Sequence, residues 1–512
     1  MLNAIGREIP LDILKRLKKE PFQGAYGYAE KSLRKEVAFN IVWPGTGKLV
    51  NSISEALVKA KFKDGMSISF HHHLRNGDYV LNMVLEEIAR MGFRDITVLA
   101  SGIFECHEPL LAHIQNGVVS GIHTNYMVGP VARAVSAGIL DKPVIMRSHG
   151  GRDRAIESGE LKIDIAFIAA PTADIYGNID GTEGPSACGS LGYAFSDAKY
   201  AGKVIALTDN LVSYPVSRIS IDQTCVDYVI KVDSIGDRAG IVSGTTRITR
   251  DPVGLKIAER AARVIETGGY LQDGFSFQTG AGSLSLAVAS FVREKMREKK
   301  IIGSFGLGGI TELFVDMLQE GLFRTLFDTQ CFDLKSVESL RNNSRHQEIS
   351  SSMYSNPFTK GAVVNNLDVV ILGATEIDTD FNVNVTTGSD GRIMGGSGGH
   401  CDAAAGSKLT IVVTNLMRAR MPVVVERVTT VNTPGENIGV LVTEYGIAVN
   451  PANEDLKKKL SDNRLPVLDI KELKRIAYNI CGEPENLKSK GNTIAVVEYR
   501  DGTIIDVIPQ FE

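Results

Sequence analysis

The chain repeats itself. Offset by 204 positions, Gly102 falls on Gly306, Glu108 on Glu312, Gln115 on Gln319, Gly117 on Gly321, Asp164 on Asp368, Ala170 on Ala374, Asp174 on Asp378 and Asn178 on Asn382. One inserted residue later the register resumes, with Asp197 on Asp402, Ala198 on Ala403, Lys203 on Lys408 and Asn210 on Asn415; upstream, Asp64-Gly65 falls on Asp273-Gly274. The apolar pattern follows: Leu110, Leu111 and Ile114 correspond to Phe314, Val315 and Leu318, a helical stripe closed in each copy by Gly117 or Gly321. A period this long is that of a domain rather than of a solenoid unit, so the chain is expected to fold as two related halves packed face to face.

Within each half, strand and helix alternate. Residues 66–70 alternate like a strand, Leu81, Val84, Leu85 and Ile88 form a helical stripe, residues 96–100 form an apolar strand, a helix follows Pro109, and residues 163–169 form another strand. That order predicts an α/β fold with mostly parallel sheets. Ser52 and Glu55 have capping-box spacing. Residues 1–50 form a mixed N-terminal extension with a basic piece at Lys15, Arg16, Lys18 and Lys19, a packing extension or a partner contact. Domain 1 is expected over 51–250 and domain 2 over 251–512. The second carries a C-terminal helix to about Ile480 and a hairpin around Asp501-Gly502.

With 512 residues and 43% hydrophobic content, a large core is available, and a net charge of -4 gives no electrostatic case for nucleic acid or an anionic membrane. The six cysteines include no Cys-x-x-Cys pair, no apolar leader opens the chain, and no run is long enough to span a bilayer. Reduced thiols and a cytoplasmic location are the expectation.

Function should lie where the copies differ. Copy two carries Gly395-Gly396-Ser397-Gly398-Gly399-His400-Cys401-Asp402, where copy one has Tyr193, Ala194 and Phe195 opposite Gly398, Gly399 and His400. Glycines leading into small residues offer backbone N–H groups to a phosphate, a carboxylate or a developing oxyanion; a tight turn beside close packing explains them equally well. After the first strand, copy one reads His71-His72-His73-Leu74-Arg75-Asn76-Gly77-Asp78 and copy two Thr279-Gly280-Ala281-Gly282-Ser283. Both belong at the carboxyl edge of a sheet, where open α/β folds bind ligands. His72, His73, Arg75 and Asn76 suit a polycarboxylate, although alternate histidines on a strand also point into a core. Three successive histidines cannot converge on one metal, and none is expected.

Gly306-Leu307-Gly308-Gly309-Ile310-Thr311-Glu312 places a carboxylate at a helix start, either a catalytic group or a charge favoured by the dipole; Glu108 in copy one supports the second reading. Trp43-Pro44-Gly45-Thr46-Gly47-Lys48 lacks the spacer and hydroxyl of a P-loop.

The ordered set Gly306 to Glu312, Ala374-Thr375-Glu376-Ile377-Asp378 with Val383-Asn384, Gly396 to Asp402 and Val442-Thr443-Glu444-Tyr445-Gly446 resembles the CoA-transferase and acyl-CoA hydrolase superfamily. With Phe22-Gln23-Gly24 and the histidine segment, the whole chain is similar to the citrate lyase alpha subunit family. The resemblance implies two CoA-transferase-like domains and citrate CoA-transferase activity, in which acetyl thioester and citrate give citryl thioester and acetate through a mixed anhydride. The thiol would belong to the CoA-like prosthetic group of the gamma subunit, an acyl carrier protein, with acetyl-CoA as surrogate and no tightly bound cofactor. The beta subunit, a citryl lyase, would be a second partner in a homo- and hetero-oligomeric assembly.

On that reading Gly398 and Gly399 donate to oxyanions, and His72, His73, Arg75 and Asn76 hold citrate. Gly280, Gly282, Gly308, Gly309, Gly396, Ser397 and His400 line the path of the thioester arm. Glu312 is the covalent carrier in related transferases and a positioning or electrostatic group in this family. Gly-Gly-Ile-Thr-Glu312 departs from the relatives' Gly-Ile-His-Thr-Glu. Three other readings stay open: a covalent Glu312 enzyme for another acid, a ligand sensor, and a non-catalytic scaffold.

Overall fold

The computed structural model describes residues 1–25, 47–242 and 247–512. The duplication is present in the strand order. In the first half, adjacent strands run Val144–Met146, Val119–Thr124, Ile96–Ala100, Ser67–Phe70, Ile165–Ala170, Lys203–Thr208, Tyr228–Lys231 and Leu49–Val50. In the second they run His346–Glu348, Phe323–Cys331, Gly303–Ile310, Phe277–Thr279, Val369–Leu372, Leu409–Val413, Val440–Val442 and Ile447–Val449. Pairing is parallel throughout, except that Ile447–Val449 closes its sheet antiparallel. In each half the chain leaves a central strand, builds outward to one edge, then returns to the other side. Ser67–Phe70 and Phe277–Thr279 therefore stand at equivalent switch points, where the crossovers part and a crevice opens beyond the strand ends.

Equivalence reaches individual hydrogen bonds. Ser67 donates its amide to Asp164 Oδ2 at 2.9 Å and its hydroxyl accepts the Asp164 amide; Ser276 and Asp368 repeat both contacts. Asp174 Oδ1 accepts from the amides of Tyr176 and Asn178, and Asp378 Oδ1 from those of Asp380 and Asn382. Each is a turn closed by a buried carboxylate, which explains why these aspartates and asparagines persist in both copies.

The predicted helical stripe is the buried face of Val80–Arg90, with Leu81, Val84, Leu85 and Ile88 all fully enclosed. Ser52 caps Ile53–Lys59 by accepting the Glu55 amide at 3.1 Å, while the Glu55 carboxylate turns back to the Asn51 amide rather than closing the box. The C-terminal hairpin departs from the expected division. Its strands, Ser489–Glu498 and Ile504–Phe511, extend the first-half sheet through parallel pairing with Val144–Met146. Domain 2 therefore gives its tail to the sheet of domain 1, where Glu498 forms a bidentate pair with Arg147. The basic N-terminal piece helps hold it there: Lys19 pairs with Glu160 and Glu498, and Phe22 packs edge-on against Tyr499 at 4.8 Å. Residues 43–46 of the glycine motif before Lys48 lie outside the described residues. Among the described residues no helix is long and apolar enough to cross a membrane.

Candidate active site between the two halves

The two switch points face each other across a cavity of about 450 Å³. Copy one contributes His72 and Arg75 from beyond its central strand; copy two contributes Gln278, Gly280 and Gly282 from the same position. Gly308, Gly309, Thr329, Gln330 and Phe332 form one wall, and Gly396 to His400 another. The halves are tied at the rim, where Gln330 Nε2 donates to the His72 carbonyl at 2.7 Å.

Of the four residues expected to hold citrate, two reach the cavity. His72 does: its Nδ1 meets Ser101 Oγ at 2.7 Å and its ring stacks on Tyr193 at 4.4 Å. Burial, reinforced by His149 and Arg75, pushes its pKa well below the ordinary imidazole value, so it is neutral near pH 7. Arg75 adopts a left-handed backbone, φ 52°, which swings its side chain into the cavity between Phe332 and Phe104, 4.8 and 5.7 Å from the two ring centres. Burial lowers its pKa from the ordinary guanidinium value, yet no carboxylate is paired with it among the described residues, and Nη1 is buried without a partner. Partly withdrawing a cation from water without a counter-ion is costly, and an anion in the cleft would offset that cost.

His73 and Asn76 do not reach the cavity. Beyond the end of strand Ser67–Phe70, His71 and His73 share one side, their rings 6.2 Å apart, and turn inward: His73 Nε2 donates to the Ala169 carbonyl at 2.8 Å, and His71 Nε2 lies 3.0 Å from Asp197. Asn76 is exposed and accepts the Cys106 amide, steadying the turn that carries Phe104.

Glu312 is also elsewhere. It opens helix Glu312–Gln319, its side chain is 63% exposed, and it pairs with Lys335 at 2.9 Å on a separate surface cavity. Strand Gly303–Ile310 delivers it past the rim of the cleft, where the dipole accounts for a carboxylate. It is not placed to touch a group bound in the cleft.

The glycine loop makes one wall from backbone. Gly398 has φ +52°, and its N–H is committed to the Asn125 carbonyl at 3.2 Å, so the expected donor pair loses this member. Gly399 remains: a methyl built on it would lie 2.7 Å from the Tyr354 hydroxyl, which explains the glycine. Gly396 is required by the Asn125 carbonyl, 2.2 Å from a built methyl. Ser397 lines the wall with its hydroxyl turned to Cys401 Sγ. His400 borders the cavity but is fully occupied, Nε2 donating to the Gly373 carbonyl and Nδ1 accepting from Thr433. Burial holds it neutral, with its pKa lowered to about 4.

The other glycines separate by cause. Gly308 has φ +105°, and a methyl on Gly309 would enter the Phe332 ring, so Gly309 seats the aromatic that Arg75 lies on. Gly280 and Gly282 have neither a positive φ nor a close neighbour, the nearest atoms lying 3.7 to 4.0 Å from a built methyl. Their missing side chains keep the wall open at the start of helix Ser283–Lys299, which has no side-chain cap.

Several lining residues were not expected: Tyr126, His149, Tyr193, Gln278 and Tyr354. Tyr193, the bulky counterpart of Gly398, faces it here, ring on one side of the cleft and bare backbone on the other. Asp197 and Asp402 show the same divergence. Asp197 pairs within its own half, with Arg152 at 2.6 Å, whereas Asp402 crosses the cleft to accept Ser148 Oγ–H and the Gly150 amide, both at 2.9 Å.

A sequence model described as citrate lyase, alpha subunit matches residues 46–511. The citrate lyase alpha chain of Haemophilus influenzae is 49% identical over 90% of this chain and 93% of its own length, and that of Escherichia coli 48% over 90% and 91%. A crystal structure of the citrate lyase alpha subunit from Streptococcus mutans, in complex with citrate, superposes with a TM-score of 0.96 at 49% identity and covers both chains completely. On these matches the chain belongs to the citrate lyase alpha subunit family.

Proposed function

We propose that this chain is a citrate CoA-transferase, exchanging acetate for citrate on a thioester: acetyl thioester and citrate give citryl thioester and acetate. Arg75 carries the proposal, as a half-buried cation at the mouth of a cleft walled by backbone, with no carboxylate paired to it among the described residues and Nη1 buried without a partner. A citrate carboxylate fits its planar fork, and the neutral His72 ring supplies a hydrogen-bonding edge beside it.

Transfer needs two acyl exchanges. A citrate carboxylate oxygen adds to the acetyl carbonyl, and collapse expels sulfur as thiolate, leaving an acetyl-citryl anhydride. The thiolate then adds to the citryl carbonyl, and collapse expels acetate. Each addition places negative charge on a carbonyl oxygen, and the Gly399 amide is the loop's donor for it. The open wall at Gly280 and Gly282 suits a slender thioester arm, the CoA-like group of an acyl carrier subunit, and a lyase subunit would cleave the citryl thioester. Two substrates held in one cleft exchange directly, with Glu312 a bystander.

The test is to incubate the chain with acetyl-CoA and citrate and to look by mass spectrometry for citryl-CoA and for an adduct on the Glu312 peptide. Citryl-CoA without adduct is expected. An adduct on Glu312 would establish the covalent route, and no citryl thioester even with the carrier subunit supplied would end the transferase reading.

A further inference from the structure

His149 borders the cleft and has no part in the steps above. It opens helix His149–Glu157, and that helix is bolted to the glycine loop of the other half. The His149 amide donates to the Gly398 carbonyl at 2.8 Å, while Asp402 takes the Ser148 hydroxyl and the Gly150 amide on either side. The ring lies against Tyr193 at 4.4 Å, and its Nε2 would stand 3.4 Å from a methyl built on Gly398. Its position relative to the Gly398-Gly399 backbone is therefore set from both sides of the cleft.

The two ring nitrogens differ. Nδ1 is buried with no hydrogen-bond partner, so a proton there would be an unsatisfied buried donor. A lone pair at that position strands no donor. The proton therefore belongs on Nε2, toward the loop. Burial, with Arg152 adding, pushes the pKa of this imidazole to about 3, so near neutral pH it offers one N–H and no charge.

We propose that His149 is a catalytic residue of the transfer, donating Nε2–H to the oxyanion that forms beside the Gly399 amide. This rests on the transferase reading. In each addition the new C–O or C–S bond forms as the carbonyl π pair moves onto oxygen. The imidazole hydrogen-bonds that oxygen without giving up its proton, and collapse returns the pair as the leaving thiolate or acetate departs. A neutral donor suits this cycle because no step calls for a net proton.

His149→Phe keeps a ring against Tyr193 and removes the donor; His149→Gln keeps an N–H. With acetyl-CoA and citrate, the Phe variant should lose about 100- to 1000-fold in kcat, the effect of one oxyanion donor, with both KM values within about threefold. The Gln variant should recover at least about tenfold of that loss. Nitrogen NMR of histidine-labelled wild type should show the His149 proton on Nε2 at neutral pH. A Phe variant with kcat within about threefold of wild type, a citrate KM that rises as far as kcat falls, or a proton on Nδ1 would each overturn the assignment. A wild type inactive even with the carrier subunit supplied would instead strike the transferase reading, and the tautomer measurement would still judge His149.

Discussion

Replacing Arg75 by alanine removes the cleft's uncompensated positive charge, and the structure sets the size of the effect. A carboxylate about 4 Å from a guanidinium at an effective dielectric near 20 is held by about 4 kcal/mol, and the cleft mouth admits solvent that weakens this. About 2 to 3 kcal/mol survives for a bidentate, partly desolvated pair, or roughly 30- to 150-fold in the citrate KM. The acetyl-CoA KM should move by less than about threefold, because Arg75 lies on the copy-one side and the open glycine wall on the copy-two side. Loss of the contacts with Phe332 and Phe104 costs about 1 to 2 kcal/mol, and relief of the unpaired charge offsets it, so thermal unfolding must be recorded alongside. Arg75→Lys separates charge from shape: it should recover part of the citrate affinity and less of the geometry. Citrate saturation at fixed acetyl-CoA, then the reverse, is the assay. Equal loss in both substrates would refute the assignment of Arg75 to the citrate carboxylates.

Gly399→Ala should lower kcat and the unfolding midpoint together, since the added methyl would stand 2.7 Å from the hydroxyl of the buried Tyr354 and shift the loop that holds the amide; wild-type kcat and midpoint would show that the loop tolerates the methyl without moving its donor. Glu312→Gln should keep kcat within about threefold, losing only an exposed pair with Lys335, and a fall to the uncatalysed rate would restore the covalent route. Stability should fall as pH drops from about 6.5 toward 4. His73 and His400, lowered by burial to about 4, and His123 and His149, lowered by burial to about 3, stay neutral when folded but take up protons when unfolded. Unfolded chains then bind more protons, so each residue contributes a slope of roughly 1.4 kcal/mol per pH unit within that window; a flat unfolding midpoint between pH 6.5 and 5 would contradict it.

The fold was legible because duplication samples the same architecture twice. Residues surviving in both copies, such as Asp164 with Asp368 and Asn178 with Asn382, proved to be turn and strand-end devices that any copy needs. The hairpin's alternating pattern states that it pairs, not with what, so its place in the first-half sheet was not legible in the sequence. Its partner, Val144–Met146, lies over 300 residues upstream, and the contacts that hold it, Arg147 with Glu498 and Phe22 with Tyr499, have no local signature.

The site divides along the same line. Differences between the copies located it: the histidine segment, the Gly280 and Gly282 turn and the glycine loop all meet at one cleft. Within that region, sequence could not say which way each side chain turns. His72 and His73 are neighbours of identical chemistry, and the turn that follows strand Ser67–Phe70 sends one to the cleft and one to the Ala169 carbonyl. Glu312 attracted attention as a carboxylate after a glycine turn, yet its rough counterpart Glu108 had already marked the position as a helix start. Gly398 illustrates a further limit, because a glycine's freedom does not reveal whether its N–H is spent, and here the Asn125 carbonyl of the other half takes it. Asp402 carries the argument furthest. Its counterpart Asp197 is satisfied by Arg152 within its own half, while Asp402 spends both oxygens across the cleft on the turn that begins with Ser148. The aspartate kept its residue type and changed its partners: Asp402 faces Arg500 at 3.4 Å and adds the clasp that fixes His149 over the glycine loop. Asp402→Asn, which leaves one acceptor for the Ser148 hydroxyl and the Gly150 amide and removes the charge facing Arg500, should therefore lower kcat more than it lowers citrate affinity. Unchanged kcat would show that the two halves hold the loop without it.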